Sequence, residues 1–298
     1  NRTKPTKQQI DWGIPALREE LKEIKPDIIV CLGKTAFDIV TKVKIALQDA
    51  RGGWFFSDEF NARVYLMEEV TKITSKPELV PVFNNDALHI RRMWDKINGL
   101  PVVEVEQHYS VIASMQDLTA WLEEMKAGDF RMFSVDCEWG GNNHIDGQLR
   151  SIQFCWKPGY ACYLKFRDET NTYCFDGGTY QDVGAVLQPY LNRPNVFYIG
   201  HHIAADFPWM HTWLGLDWYA KAFMDTEFAQ QCCDEYESLS LDRLALKYTD
   251  LGKYDIDLII WKKSNKQRFD AGYAYIPDDI LIPYALKDVD VVMRAVPF

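Results

Sequence analysis

The sequence predicts an α/β protein built as two domains, and three observations carry that expectation. In PDIIVCLG (26–33) followed by KTAFDIVTKV (34–43), an apolar run ends in glycine and gives way to helical spacing, the strand–turn–helix order of an α/β layer. Between 132 and 166, three apolar runs are separated by GGNNHIDG and KPG, the turn chemistry of an antiparallel meander. From 179 onward strands and helices alternate, which adds parallel strands and makes a mixed, mostly parallel sheet flanked by helices. The boundary is expected near LPVVEVEQHYS (100–110), giving domains 1–100 and 105–298.

In the first domain, ELVPVF (78–83) reads as a further strand and HIRRMWDKI (89–97) as a helix. The second opens with a strand near Tyr109–Ile112. Ser114 then caps a helix running to Lys126, with Leu118, Trp121, Leu122 and Met125 at helical spacing. Strands follow at 132–139, 150–156 and 160–166. A helix at 179–191, a strand at 195–200, a helix at 204–214 and a short strand at 222–224 come next. Helices at 226–236 and 239–248 lead to a last helix at 278–296.

Of the 298 residues, 47% are hydrophobic and 26% charged, the balance of a globular chain. No apolar run approaches the roughly 20 residues of a transmembrane helix, and there is no basic-then-apolar leader. A cytoplasmic, membrane-free protein is expected. The first residue is Asn, as in an excised fragment, and the opening Asn-Arg-Thr sequon is read as chance. Seven cysteines without a Cys-x-x-Cys pair argue for reduced thiols and against a disulfide framework or zinc site. Residues 1–100 hold 16 Lys and Arg against 14 Asp and Glu, so the remainder carries a charge of −12 out of a total of −10. Such an acidic domain is a poor general nucleic-acid binder unless cations cancel its charge where phosphate sits.

One stretch points to chemistry. In FSVDCEWGG (133–141), Phe133, Val135, Cys137 and Trp139 alternate with Ser134, Asp136 and Glu138. Period-two alternation puts both carboxylates on one strand face. Like charges that close resist ionising unless something positive lies between them, and a hard divalent cation is the usual partner. A solvated strand face would carry the same pattern, and MDTE (224–227) repeats it at Asp225 and Glu227. In GHHIAADF (200–207), Asp206 opens a helix after a strand, where ligand sites of α/β sheets gather. An acid favoured by the helix macrodipole would look alike. In YALKD (284–288), Tyr284 and Asp288 share one helix face among apolar neighbours. A structural hydrogen-bonded pair would do the same.

In order and type together, FSVDCEW, HHIAAD and YALKD resemble the three motifs of the DEDD superfamily of 3′→5′ exonucleases, in the subgroup with tyrosine. MDT before a helix, SLDRLALKY and IPDDILIPYALKD resemble the proofreading exonuclease domains of bacterial and phage family A DNA polymerases. The likeness spans about 105–298. It implies a ribonuclease H-like fold and a catalytic set of Asp136, Glu138, Asp206, Tyr284 and Asp288. It also implies two divalent cations, Mg²⁺ or Mn²⁺. Asp136, Glu138 and Asp288 would hold one, Asp136 and Asp206 the other, with Tyr284 orienting the attacking water. Asp225, after the second motif, is assigned to capping a helix. The chain departs from the family at His202, where Asn is usual, and at Ala205, where an aromatic is usual. His202 either touches the substrate or only packs. Trp139, Phe207 and Trp209 either stack on terminal bases or belong to the core.

NRTKPTKQQI and EIKPDIIVCLGKTAFDIV resemble the middle of the iron–sulfur (family 4) uracil-DNA glycosylases, over about residues 1–98. The family's water-activating loop would lie upstream of NRT, its cluster-ligating cysteine is missing near Gly13, and its assisting His falls at Asn84. No iron–sulfur cluster and no glycosylase activity are therefore expected. This half reads as a scaffold or docking surface, with Arg91, Arg92 and Lys96 either on a DNA backbone or solvated.

The resemblance implies metal-dependent release of nucleoside monophosphates from a single-stranded or frayed DNA 3′ end. The expected partner is a polymerase domain, C-terminal to this chain or in trans. Two other readings stay open: a ribonuclease D-like exoribonuclease, and a silent interaction module of a replicative polymerase.

Overall fold

A computed structural model describes residues 6–235, 238–266 and 271–298. The Asn-Arg-Thr sequon and the last position of the helix expected at 226–236 lie outside the described residues. The chain divides into two compact units, one ending at Val103 and the other beginning at Glu104.

In the first unit, α1 (Lys7–Ile24) starts from a capping box in which Thr6 and Gln9 satisfy each other's backbone N–H groups. Then come β1 (Ile28–Leu32), α2 (Lys34–Thr41), α3 (Leu47–Ala50), β2 (Trp54–Ser57), β3 (Ala62–Met67), α4 (Val70–Ser75) and α5 (Val80–Ile97). β1 pairs parallel with β3, and β3 antiparallel with β2. The expected strand–glycine–helix is β1, Gly33 and α2, with Phe37 and Val40 buried. The expected strand at 78–83 is instead a short 3₁₀ turn running into α5. Pro81 falls in the first turn of that helix, where a missing N–H costs nothing. The helix face is completed by buried Asp86 and His89, polar residues that apolar patterning overlooks. Tyr65 donates to Asp86 at 3.1 Å, which accounts for that burial. α1 and the β2–β3 hairpin were not among the sequence expectations.

The second unit runs β4 (His108–Ile112), α6 (Met115–Ala127), β5 (Met132–Gly140), β6 (Gln148–Lys157), β7 (Tyr160–Lys165), α7 (Tyr180–Leu191), β8 (Phe197–Gly200), α8 (Phe207–Leu214), β9 (Ala222–Asp225), α9 (Thr226–Cys233), α10 (Leu241–Tyr248), α11 (Ile256–Ser264) and α12 (Asp278–Ala295). The six-stranded sheet has the order β4-β7-β6-β5-β8-β9. β5–β6 and β6–β7 are antiparallel, and β4–β7, β5–β8 and β8–β9 are parallel. This is the mixed α/β sheet the sequence predicts. Ser114 caps α6 by accepting the Asp117 N–H.

Alternation sends the two sides of β5 to different partners. Phe133, Val135 and Cys137 join Leu118, Trp121, Val183, Leu187 and Met210 in the larger core. On the other face, Cys155, Tyr163 and Ile199 pack against Ala285, Leu286, Val289 and Val292 of α12. α12 thus lies across the side that Asp136 and Glu138 share. Among the described residues no helix is long and apolar enough to cross a membrane.

The approach of α7 to the end of α8 depends on Gly184. A Cβ there would stand 1.9 Å from the Leu214 carbonyl oxygen. Gly184→Ala is expected to destabilise the second unit by about 1–3 kcal/mol, the usual range for overpacking. Denaturant titration checks this, and an unchanged midpoint would refute it.

Candidate active site

Asp136 and Glu138 occupy the centre of the sheet, between β6 and β8. Ser134, on the same face, donates its hydroxyl to the Val289 carbonyl at 2.6 Å. That bond ties β5 to α12 one residue from Asp288. One carboxylate oxygen from each of Asp136, Glu138 and Asp288 then lies within 4.8 Å of the others. Tyr284, one turn earlier on α12, stands beside Asp288.

Asp206 ends the turn that follows β8, immediately before α8. Its Oδ1 accepts the Cys137 N–H at 3.1 Å, which anchors it between the two acids of the first motif. It lies beside the three-carboxylate group without being part of it. Glu138, Asp206 and Asp288 are all buried.

Burial dominates the electrostatics. It pushes Asp136 up to about 7, against the opposing pull of the Cys137 N–H. Glu138, Asp206 and Asp288 rise well above the carboxylate range, through burial first and the charge of Asp136 second. Burial and then Asp288 also push the Tyr284 hydroxyl up, so it stays protonated at neutral pH. A set of convergent all-oxygen donors, Asp136 half-buried and the others buried, suits a hard divalent cation. Such an ion would replace the protons and remove the repulsion.

The second Asp-x-Glu has a different role in the structure. Asp225 caps α9 through the Glu227 N–H at 2.9 Å. It also accepts the N–H groups of His202 and Ile203, each at 3.0 Å. It therefore pins the loop that leads to Asp206. His202 adopts φ +58°, a left-handed conformation in which Asn and His are enriched. Its exposed ring meets Glu227 at 2.7 Å. Replacing the family's Asn by His thus fits the backbone there.

Trp139 is half-buried and stacks on Trp209 at 4.9 Å. Phe207, expected among the substrate contacts, is only 3% exposed. As the first residue of α8 it turns into the core, edge-on to Tyr219 at 5.2 Å, which leaves no face for a base.

Three residues at the cleft went unread in the sequence. The Tyr254 hydroxyl donates to Asp288 Oδ1. Tyr273 stacks against Tyr284 at 6.4 Å and 13°. Lys262 Nζ donates to the Tyr273 hydroxyl at 3.1 Å, and its charge acts on Glu138 and Asp288. The Tyr273 loop is pinned to the end of β5: Gly272, at φ +69°, bridges to Gly140, and the Tyr273 N–H donates to the Trp139 carbonyl at 2.8 Å. A Cβ at Gly140 would stand 2.6 Å from that of Ala274, so glycine permits the approach. Buried Arg150 holds the far side of the loop through the Tyr273 carbonyl and Asp278. The only local signal was a pair of tyrosines flanked by turn residues in AGYAYIP.

A family model described as 3′-5′ exonuclease matches residues 109–296. One for the uracil DNA glycosylase superfamily matches residues 2–96. A DNA polymerase of Escherichia phage T5 is 26% identical over 230 residues, 74% of this chain; the alignment spans 25% of the polymerase's length. Among solved structures, the catalytic core of RRP6 from Trypanosoma brucei is similar at 15% identity and TM-score 0.44, over 83% of this chain and 60% of that one. Brucella melitensis NrnC is similar at 14% identity and TM-score 0.43, over 64% and 79%.

Proposed function

Because this chain belongs to the 3′-5′ exonuclease family, we propose that it hydrolyses the 3′-terminal phosphodiester of single-stranded or frayed DNA and releases nucleoside monophosphates. The observation that carries this reading is the convergence of Asp136, Glu138 and Asp288 within 4.8 Å, with Asp206 anchored alongside. Asp136, Glu138 and Asp288 would hold one divalent cation, and Asp136 with Asp206 a second. All-oxygen ligands favour Mg²⁺ or Mn²⁺. Bound there, the cations supply Lewis-acid stabilisation of the scissile phosphate and lower the pKa of the attacking water.

The protein's own groups do the rest. Burial, which raises all four carboxylates, makes loading of the site favour higher pH. Tyr284, kept protonated by burial and the neighbouring Asp288, orients the water and does not act as its base. The acidic surface of the second unit disfavours duplex, so an unpaired 3′ end enters most readily. The partly exposed ring of Trp139 is placed to stack on a terminal base. His202, exposed at the second motif, is a further substrate contact in this reading. The phage relative supports a polymerase as the partner that delivers the strand. The unit ending at Val103 serves as scaffold or docking surface, without glycosylase chemistry.

The test is digestion of 5′-labelled single-stranded DNA and a matched RNA, each with Mg²⁺, Mn²⁺ or EDTA. A DNA ladder shortening from the 3′ end, absent in EDTA, is expected, with slower loss of RNA. Preference for RNA would replace the substrate by RNA. Intact strands under every condition would leave only an interaction module.

A further inference from the structure

We propose that Tyr254 is a positioning residue that sets the orientation of the Asp288 carboxylate toward Asp136 and Glu138. This rests on the reading of the cleft as a cation site. Asp288 is a short side chain whose terminal sp³–sp² torsion is intrinsically broad. The helix that carries it fixes the Cα position and leaves the carboxylate plane free to turn. Something outside that carboxylate must lock it. Tyr284 stands beside it on the same helix. Tyr254 comes from another segment, the connection between α10 and α11, and donates its hydroxyl to Oδ1. That donor, from outside the helix, fixes the torsion that the helix leaves free.

The segment delivering Tyr254 is held more firmly than an ordinary loop. The Lys253 side chain is 3% exposed, and its ammonium lies 2.8 Å from Asp242 on α10 and 3.1 Å from Asp255, which precedes α11. A buried ammonium between two carboxylates is costly to desolvate and tolerates little displacement. It fixes the backbone on one side of Tyr254 to one helix and the residue on the other side to the next. The Tyr254 ring then packs with Leu244, Ala245 and Val291 and lies 6.0 Å from Tyr284. The phenol thus reaches Asp288 with its own rotamer locked by packing, as a group that positions a cation ligand requires.

Mn²⁺ binding without nucleic acid separates this role from a structural one. Free Mn²⁺ is titrated by electron paramagnetic resonance against wild type, Tyr254→Phe and Lys253→Met, with thermal melts in chelator alongside. Tyr254→Phe removes one oxygen and keeps the packing. It is expected to weaken Mn²⁺ about tenfold, the lower end for groups that orient a metal ligand, and its slower digestion should recover partly as Mn²⁺ is raised. Lys253→Met, which loosens the strap but keeps the phenol, should show a smaller loss in the same direction. Unchanged Mn²⁺ affinity in Tyr254→Phe would overturn the inference, even if that variant melts lower. Wild type that binds no Mn²⁺ would instead overturn the cleft reading on which the inference stands.

Discussion

Asp136→Ala is expected to slow release of 3′-terminal nucleotides by at least about a thousandfold, equivalent to roughly 4 kcal/mol of transition-state stabilisation. Asp136 is the carboxylate that both proposed cation positions share. Its loss removes a donor from each, and electrostatic stabilisation by bound metal is worth several kcal/mol. Loss of fold is not expected to explain the result. Asp136 lies on a central strand whose anchoring residues, Phe133, Val135 and Cys137, point the other way into the core. Its charge also raises Glu138, Asp206 and Asp288, so the variant should melt higher than wild type in chelator. Rate and melting temperature are measured on the same preparation. A variant that keeps more than about a tenth of the wild-type rate would remove Asp136 from the chemistry.

The second large effect is on stability. In chelator, the protein should become less stable as pH rises from about 4 through 7. Asp136 titrates near 7 in the folded chain because burial opposes its charge, and near 4 when unfolded. Below 4 both states are protonated and there is no penalty. Between 4 and 7 the unfolded chain loses a proton that the folded one keeps, so stability falls with rising pH. Glu138, Asp206 and Asp288 act in the same direction. So does Asp86 in the first unit, raised by burial to about 6. The contribution of Asp136 is therefore read as a difference. Asp136→Asn should match wild type below pH 4 and exceed it by about 1–3 kcal/mol at pH 7.5, or roughly 3–10 °C. Mn²⁺ at about a hundred times its Kd should raise wild-type stability by about 2.7 kcal/mol at pH 7.5 and have little effect on the variant. Parallel pH profiles for the two proteins, or no response to Mn²⁺, would refute this account of the cleft.

Much of this arrangement was legible in the chain, for reasons that are local. Alternation along 133–139 puts Asp136 and Glu138 on the face away from Phe133 and Val135, because successive strand residues point to opposite sides. Four-residue spacing puts Tyr284 over Asp288 on α12. Ser114 and Asp225 announce helix starts through short side-chain oxygens that reach free N–H groups. Errors arose where polar and apolar roles were exchanged. Residues 78–83 looked like a strand because the inner face of α5 is completed by Asp86 and His89. Phe207 looked like a substrate contact because nothing local shows which way the first residue of α8 turns.

The sequence by itself determined which residues face together within each strand and helix, because that follows from the repeat of the backbone. Alternation alone could not say which of the two Asp-x-Glu pairs meets Asp288; the resemblance implied the first, and the tertiary structure supplies the physical reason. β5 lies at the centre of the sheet beneath α12, whereas β9 lies at its edge, so Asp225 is left to cap a helix and pin a loop. Tertiary structure alone also brought Tyr254 and Tyr273 to the cleft from connecting loops, and Lys262 from α11. Their positions depend on the Lys253 ion pairs, the Gly140–Gly272 bridge and Arg150. These contacts join residues up to 132 positions apart in the chain, and they form only once both faces of the sheet are buried.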